Sequence, residues 1–252
     1  MLSRGTLLVL HLFYAAAFGT RLSTFEFGAA RVQVEQEFTG AEEGSVVWDA
    51  SRALLAHIAF LERKPIAGCR VLEIGSGTGL VGLALARLGA ASVVLTDKDS
   101  QVPLLKRNVE RNQPSCCADR CNLCAHIGRV DVLPLVWGDS WQTVADTILS
   151  ERDAWDLIVC CDCVYPDRPS DLATVLLDLM ALNRHATLLL AFEKRPPPAS
   201  APPGTDHTRD FFEAMRAGCE VEQVPDEELD PAWKCDEITL WRLRIASDEN
   251  DD

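Results

Sequence analysis

Basic residues are scarce in this 252-residue chain. Its 24 lysines and arginines stand against 38 aspartates and glutamates, a formal net charge of -14. A surface so acidic repels phosphate backbones, which argues against nucleic acid as a direct partner and favours a basic one, such as a lysine-bearing protein segment. Long apolar runs are also missing. The longest lies in MLSRGTLLVLHLFYAAAFGT, from Leu7 to Phe18 behind Arg4. It falls short of the roughly 18 residues a membrane-spanning helix needs, so stable membrane insertion is not expected. It resembles a signal peptide or another targeting segment, with a buried N-terminal helix as the bland alternative. There is no internal repeat, which sets solenoid architectures aside.

What is present is an ordinary globular composition, 48% hydrophobic and 25% charged, enough for one sizeable core. Residues 1–20 form a separate apolar segment, 21–246 one domain, and 247–252 (SDENDD) an acidic solvated tail. TFEFGAARVQVEQEF alternates apolar and polar residues, as a hairpin does. In VVWDASRALLAHIAFLER, Asp49 can cap a helix whose apolar face carries Leu54, Leu55, Ile58 and Leu61. From there strand and helix patterns alternate: RVLEI, GLVGLALARLG closed by Gly89, SVVLTD, SQVPLLKRNVERN with proline in its first turn, VDVLPLVW, SWQTVADTILSER, WDLIVCCD, PSDLATVLLDLMALN, ATLLLAFE and HTRDFFEAMRAG. Such alternation predicts an α/β fold with a parallel sheet and helices on both faces. The two last strand patterns, CEVEQV and ITLWRLRI, predict an antiparallel end to that sheet. RPPPASAPPG at 195–204 reads as a proline-rich loop without a core-forming pattern.

VLEIGSGTGLVG joins the first core strand to its helix. Glycines at 75, 77 and 79 let the backbone turn tightly and approach a ligand, and the helix N-terminus behind them offers unpaired N–H groups. Gly77, Gly79 and Gly82 also spell a literal G-x-G-x-x-G, which suggests a dinucleotide. The register is wrong for that, because Gly75 already follows the strand and the motif begins two residues late. The E-x-G-x-G-x-G reading from Glu73 to Gly79 fits the strand end better, and this form resembles the S-adenosylmethionine loop of the seven-strand methyltransferases, whose ligand carries a nucleoside and a sulfonium amino acid but no pyrophosphate. Asp97 ends the next strand about 20 residues on, where a carboxylate accepts hydrogen bonds from ribose hydroxyls. A helix cap is the plain alternative for Asp97.

Taken together, TFEF…VQVEQEF, VVWDAS, VLEIGSGTGLVGLALARLGA, VVLTDKD, VWGD and DLIVCCDCVY resemble the methyltransferase-like protein 21 family of protein-lysine methyltransferases. The likeness runs in order through residues 22 to 193. The resemblance implies a seven-stranded Rossmann-like, class I S-adenosylmethionine-dependent fold with a small N-terminal β extension. It implies that Trp48 lines the cofactor site, that Gly75, Ser76 and Gly77 wrap the amino-acid end, with Glu73 and Gly79 further cofactor-binding residues of the same loop, that Asp97 takes the ribose, that Trp137 lies near the adenine, and that Cys161 adjoins the cofactor through its backbone. It places Asp162 and Tyr165 at the substrate rim as catalytic residues. The implied partner is a protein presenting a lysine, of a kind that includes chaperones, ATPases and translation factors. The enzyme is expected to act as a monomer in the cytoplasm, or in an organelle or the secretory route if residues 1–20 direct it there. The alternatives are a methyltransferase for a small molecule or another residue, a silent binding module that keeps the fold, and a nicotinamide-dependent oxidoreductase. The glycine register argues against the last.

Methyl transfer from a sulfonium to an amine is an in-line displacement of an activated group, so it needs neither a metal nor a covalent enzyme intermediate. The enzyme must align two reactants and provide a neutral amine, although free lysine has a pKa of about 10.4. An apolar aromatic channel lowers that value by desolvation. Asp162 is expected to orient the amine and Tyr165 to line its channel, with Glu193, at the next strand end, a weaker rim candidate. The ten cysteines are expected to be reduced thiols for the most part. Cys117, Cys121 and Cys124 form a C-x-x-x-C-x-x-C, but no second CxxC pair supports zinc, and no metal is expected. Cys160 and Cys161 are adjacent in a strand, so they point to opposite faces and cannot chelate one ion together.

Overall fold

The computed structural model describes residues 19–38, 42–61, 66–113, 128–138, 155–165, 169–197 and 201–246. The apolar segment up to residue 18, the cysteine stretch at 116–124, the helix expected over 140–152 and the acidic tail lie outside the described residues.

The alternating pattern near the N-terminus forms a hairpin of β1 (Thr20–Phe27) and β2 (Ala30–Glu37), antiparallel, with Thr20 opposite Glu37 and Phe27 opposite Ala30. Gly28 turns it at φ 55°, in the left-handed region that two-residue hairpin loops use. Along β2 the small and branched residues Ala30, Val32 and Val34 are buried, and Arg31, Gln33 and Glu35 alternate with them.

The main sheet has seven strands: β3 (Arg70–Ile74), β4 (Ser92–Asp97), β5 (Arg129–Pro134), β6 (Leu157–Cys161), β7 (Thr187–Glu193), β8 (Cys219–Gln223) and β9 (Ile238–Ile245). They lie in the order β5-β4-β3-β6-β7-β9-β8. β3 to β7 are parallel, and β9 runs antiparallel between β7 and β8, the antiparallel end the sequence predicts. Five helices are described: α1 (Asp49–Leu61), α2 (Leu80–Arg87), α3 (Val102–Asn112), α4 (Pro169–Leu182) and α5 (His207–Met215). Asp49 opens α1 from inside, and its carboxylate accepts from Arg52 at 2.9 Å.

Successive strand residues enter opposite cores, as the pleat demands. Leu72, Val94, Ile158 and Cys160 pack with α4 and α5. Val71, Val93, Leu95, Val159 and Cys161 pack with α1, α2, α3 and β2. Cys160 and Cys161 are thus separated by the sheet.

The hairpin joins this body through side chains. Asn108 on α3 accepts from the Glu35 N–H at 2.7 Å and donates to the Glu35 carbonyl at 3.0 Å. One turn on, Asn112 accepts from the Gln33 N–H at 3.0 Å and donates to the Gln33 carbonyl at 2.6 Å. Two amides thereby satisfy the β2 edge as a neighbouring strand would.

Candidate active site

The carboxyl ends of β4, β3 and β6 stand side by side, with Ile74 in register with Thr96 on one flank and Cys160 on the other. Open α/β sheets bind ligands outside such ends, where chain direction across the sheet reverses. A cleft of about 890 Å³ lies there, lined among others by Trp48, Gly75, Ser76, Gly77, Asp97, Trp137, Cys161, Asp162 and Tyr165. Of the cofactor-binding and catalytic residues that the resemblance implies, Glu73 and Gly79 are missing from its lining, as is the weaker rim candidate Glu193.

The floor is the loop after β3. Ser76 donates its N–H to the Thr96 carbonyl at 2.9 Å, and its hydroxyl accepts the Thr96 N–H at 3.0 Å, so the exits of β3 and β4 are tied together. Gly75 and Gly77 have φ of 64° and 54°. Both also lack room for a side chain: a Cβ at Gly75 would fall 2.4 Å from the Cys163 sulfur, and one at Gly77 2.8 Å from the Gly44 carbonyl oxygen. The Gly77 N–H donates to Asp97 at 2.8 Å and the Lys98 N–H to its other oxygen at 2.8 Å. These bonds aim the carboxylate, which burial pushes above the ordinary carboxylate range.

Glu73 is the correction to the expected cofactor set. Its side chain sits under the loop, only 2% exposed, and accepts the Gly82 N–H at 2.9 Å. Burial pushes its pKa up to about 8. It braces the first turn of α2. Gly82 itself is a packing residue, since a Cβ there would lie 2.2 Å from Leu95 and 2.7 Å from the Glu73 carboxyl. The literal dinucleotide motif therefore owes its last glycine to helix–sheet contact. Gly79 (φ 79°) is the N-cap of α2, packed against Leu95 and Leu105.

A strap from Glu42 to Trp48, with a 3-10 turn over Glu43–Ser45, crosses the loop. Gln101 holds it: its amide donates to the carbonyls of Gly44 (3.1 Å) and Gly77 (3.2 Å), and its oxygen accepts from Ser45 Oγ at 3.2 Å. Gln36 on β2 accepts the Val47 N–H at 2.8 Å. Glu42 pairs with Lys98 across the cleft lip. Leu135, Val136 and Trp137 also line the cleft, with the Trp137 ring 5.9 Å from that of Tyr165. Burial pushes the Tyr165 hydroxyl further up from its ordinary value, so it stays protonated.

Asp162 leaves β6 at φ 56°, the one non-glycine with positive φ among the described residues. It is not a free carboxylate. Arg195 binds it through both terminal nitrogens, at 2.8 and 2.6 Å, and the Glu193 N–H adds a bond at 3.1 Å. Arg195 stacks over Trp48 at 5.1 Å and reaches Glu193 at 3.2 Å. Glu193 borders this cluster but is absent from the cleft lining, and burial raises its pKa.

The sequence reading missed Arg195, Cys163, Gln101 and the strap. Arg195 opens the proline-rich stretch at 195–204, which has no core-forming pattern to mark it, although it stands two residues after Glu193. Cys163 packs its thiol under the loop, near the carbonyls of Cys161 (3.2 Å), Ile74 and Gly75. A hydrogen bond with Cys163, then burial, holds the Cys160 thiol well above its ordinary pKa, and burial does the same for Cys161. Such thiols are inert. Among the described residues no three His, Cys, Asp or Glu side chains gather as metal ligands would.

The lining fits a nucleoside bearing an amino-acid arm. It offers a carboxylate for vicinal hydroxyls, an apolar wall with an indole for a flat base, and open main chain at Gly75–Gly77.

Comparison with known proteins agrees. A family model described as lysine methyltransferase matches residues 28–217. The chain is 33% identical to protein N-lysine methyltransferase METTL21A of Mus musculus over 172 residues, 68% of this chain and 70% of that protein. It is 31% identical to protein-lysine N-methyltransferase EFM6 of Saccharomyces cerevisiae over 201 residues, 73% of each. Among solved structures, the T. Thermophilus 16S rRNA N2 G1207 methyltransferase in complex with AdoMet and guanosine matches with a TM-score of 0.54 at 17% identity, over 90% of this chain and 51% of that one. That likeness speaks for the fold.

Proposed function

The chain belongs to the lysine methyltransferase family, and on that premise we propose how its cleft divides the work and what kind of protein it modifies. The reaction is S-adenosylmethionine-dependent N-methylation of a lysine side chain in a protein. The observation that carries the reading is the convergence, in one cleft, of the glycine loop, the Asp97 carboxylate and an aromatic mouth of Trp48, Trp137 and Tyr165.

S-adenosylmethionine, when bound, supplies a methyl group already activated on a sulfonium. Asp97 would hold its hydroxyls, Trp137 would cover its base, and the main chain of Gly75–Gly77 would take its amino-acid end. Trp48 and Tyr165 exclude water from the mouth. They favour the neutral form of an arriving amine, because a desolvated ammonium loses more than a desolvated amine.

The acceptor is a protein with a basic surface around the lysine, a choice supported by the net charge of -14 and by Glu42 and Glu43 on the cleft lip. Chaperones, ATPases and translation factors are candidates of suitable chemistry. The enzyme acts as a monomer in the cytoplasm. Large exposed apolar residues are few among the described residues, and Leu22, Phe60 and Leu182 stand on three different elements, which favours a single copy. Unbridged buried thiols at Cys160, Cys161 and Cys163 suit a reducing compartment.

The test is to incubate the purified full chain with methyl-labelled S-adenosylmethionine and a cell extract, then locate the label by gel and peptide mass spectrometry. A labelled lysine in a protein is expected. Asp97→Ala should lose both the label and calorimetric binding of the methyl donor. Donor binding without any labelled protein would redirect the reading to a small-molecule acceptor, and absence of donor binding would end it.

A further inference from the structure

At the rim of the cleft the buried and exposed charges are the reverse of what the motif suggests. The Asp162 side chain is 3% exposed and that of Arg195 is 30% exposed. Both carboxylate oxygens of Asp162 are taken by the guanidinium, and one also accepts the Glu193 N–H. A carboxylate in a two-pronged arginine fork and nearly sealed from solvent has no free face for a second cation.

The backbone adds a second, independent observation. Asp162 holds a left-handed conformation, uncommon outside glycine, which an aspartate keeps through local hydrogen bonds. Here its N–H is tied to the Ala191 carbonyl at 2.7 Å and its side chain to Arg195 and the Glu193 N–H. This turn sends Cys163 under the glycine loop and Tyr165 to the face of Trp137. On its far side the guanidinium lies over Trp48.

We propose that Arg195 is a positioning residue for lysine methylation: it clasps Asp162, locks the left-handed exit of β6, and presents its own planar face, rather than the carboxylate, at the acceptor mouth beside Trp48 and Tyr165. Asp162 then acts on the amine through the geometry it imposes and through Arg195. This rests on the lysine-methylation reading above. It revises the role expected for Asp162 from its motif and gives one to a residue in an otherwise unpatterned loop.

The two accounts of Asp162 differ in sign for one variant. If the carboxylate itself received the amine, Arg195→Met would uncover it and turnover would hold or rise. If Arg195 is the clasp, Arg195→Met loses what Asp162→Asn loses. The experiment uses the full-chain enzyme, the methyl-labelled donor and the acceptor protein identified by labelling. It compares Arg195→Met, Arg195→Lys, Asp162→Asn and the Met/Asn double variant. The readouts are kcat and KM for the acceptor, donor affinity by calorimetry and melting temperature.

The expected result is a kcat lowered roughly 10- to 100-fold in both Arg195→Met and Asp162→Asn, the scale of a misplaced reacting group, with donor affinity held. The double variant should be no worse than the poorer single one, since the pair acts as a unit. Arg195→Lys, which keeps the charge without the fork, should lie between. Turnover retained in Arg195→Met, or losses that add in the double variant, would overturn the proposal. If Arg195→Met does not fold, Arg195→Lys decides: an intermediate kcat supports the clasp and a wild-type kcat refutes it. A wild-type enzyme that binds no donor or labels no protein would instead strike the underlying functional reading.

Discussion

Glu73 lies beneath the glycine loop, and its chemistry belongs to folding more than to catalysis. Its pKa rises from an ordinary 4.5 to about 8 in the folded protein, chiefly through burial. Between those values the folded chain keeps a proton that the unfolded chain has released. The stability tied to that proton is fully present below about pH 4.5 and drains away as pH climbs toward 8. The slope reaches at most about 1.4 kcal/mol per pH unit. Glu73→Gln keeps an acceptor for the Gly82 N–H without a titrating charge. Its melting temperature, followed from pH 5 to 9, should therefore decline less than that of the wild type and exceed it at the alkaline end. Parallel curves for the two proteins would show that Glu73 carries no such linkage. The same burial explains why a residue read from the motif as a ligand contact turned out to be a brace. A glutamate at a strand end looks alike in sequence whether it faces the cleft or the helix behind it.

At the scale of elements, the hairpin and the strap are the parts that build the cleft from outside the sheet. Asn108 belongs to both systems, because its amide also donates to the Thr78 carbonyl at 3.0 Å, next to Gly77. The Asn112 side chain serves the hairpin alone among its long-range bonds. Each replacement by alanine strands part-buried main-chain groups and should cost about 1 kcal/mol in denaturant unfolding. Only Asn108→Ala should also weaken donor binding in calorimetry; equal donor affinity in the two variants would separate the hairpin joint from the loop. The elements themselves were legible beforehand. The period-two run in β2, the strand patterns of β3, β4 and β6, and the proline in the first turn of α3 all appear where the sequence predicts them. The joints were not legible, since Asn108 and Asn112 meet partners 73 and 79 residues away, and nothing local marks an asparagine that will copy a strand edge. Arg195 was hidden in another way. Its meaning comes from the left-handed turn at Asp162, and no periodicity reports that turn.

For the molecule as a whole, acidity is the property an acceptor meets first. Glu42 and Glu43 stand at the lip, and the chain carries 38 acidic residues against 24 basic ones. Attraction of a basic protein across such a surface is screened within about 8–10 Å at 0.1–0.15 M salt. Raising the salt from 50 to 500 mM should therefore lower kcat/KM for the protein acceptor roughly 3- to 10-fold, mainly through KM, with donor affinity changing far less. A salt-independent KM would mean that the acceptor is held by apolar contacts. Fold class and cofactor loop could be read from the chain because both are written in consecutive residues, whereas the rim is assembled from four separated segments. The asparagine joint has a different sort of consequence. Asn108 and Asn112 hold only main chain at Gln33 and Glu35, and main chain is the same for every residue but proline. Gln33 is thus free to change its side chain without undoing this joint, whereas Glu35 is held twice, since its carboxylate also accepts from Arg107 at 2.9 Å and from Arg111 at 3.1 Å. The two asparagines have no such latitude.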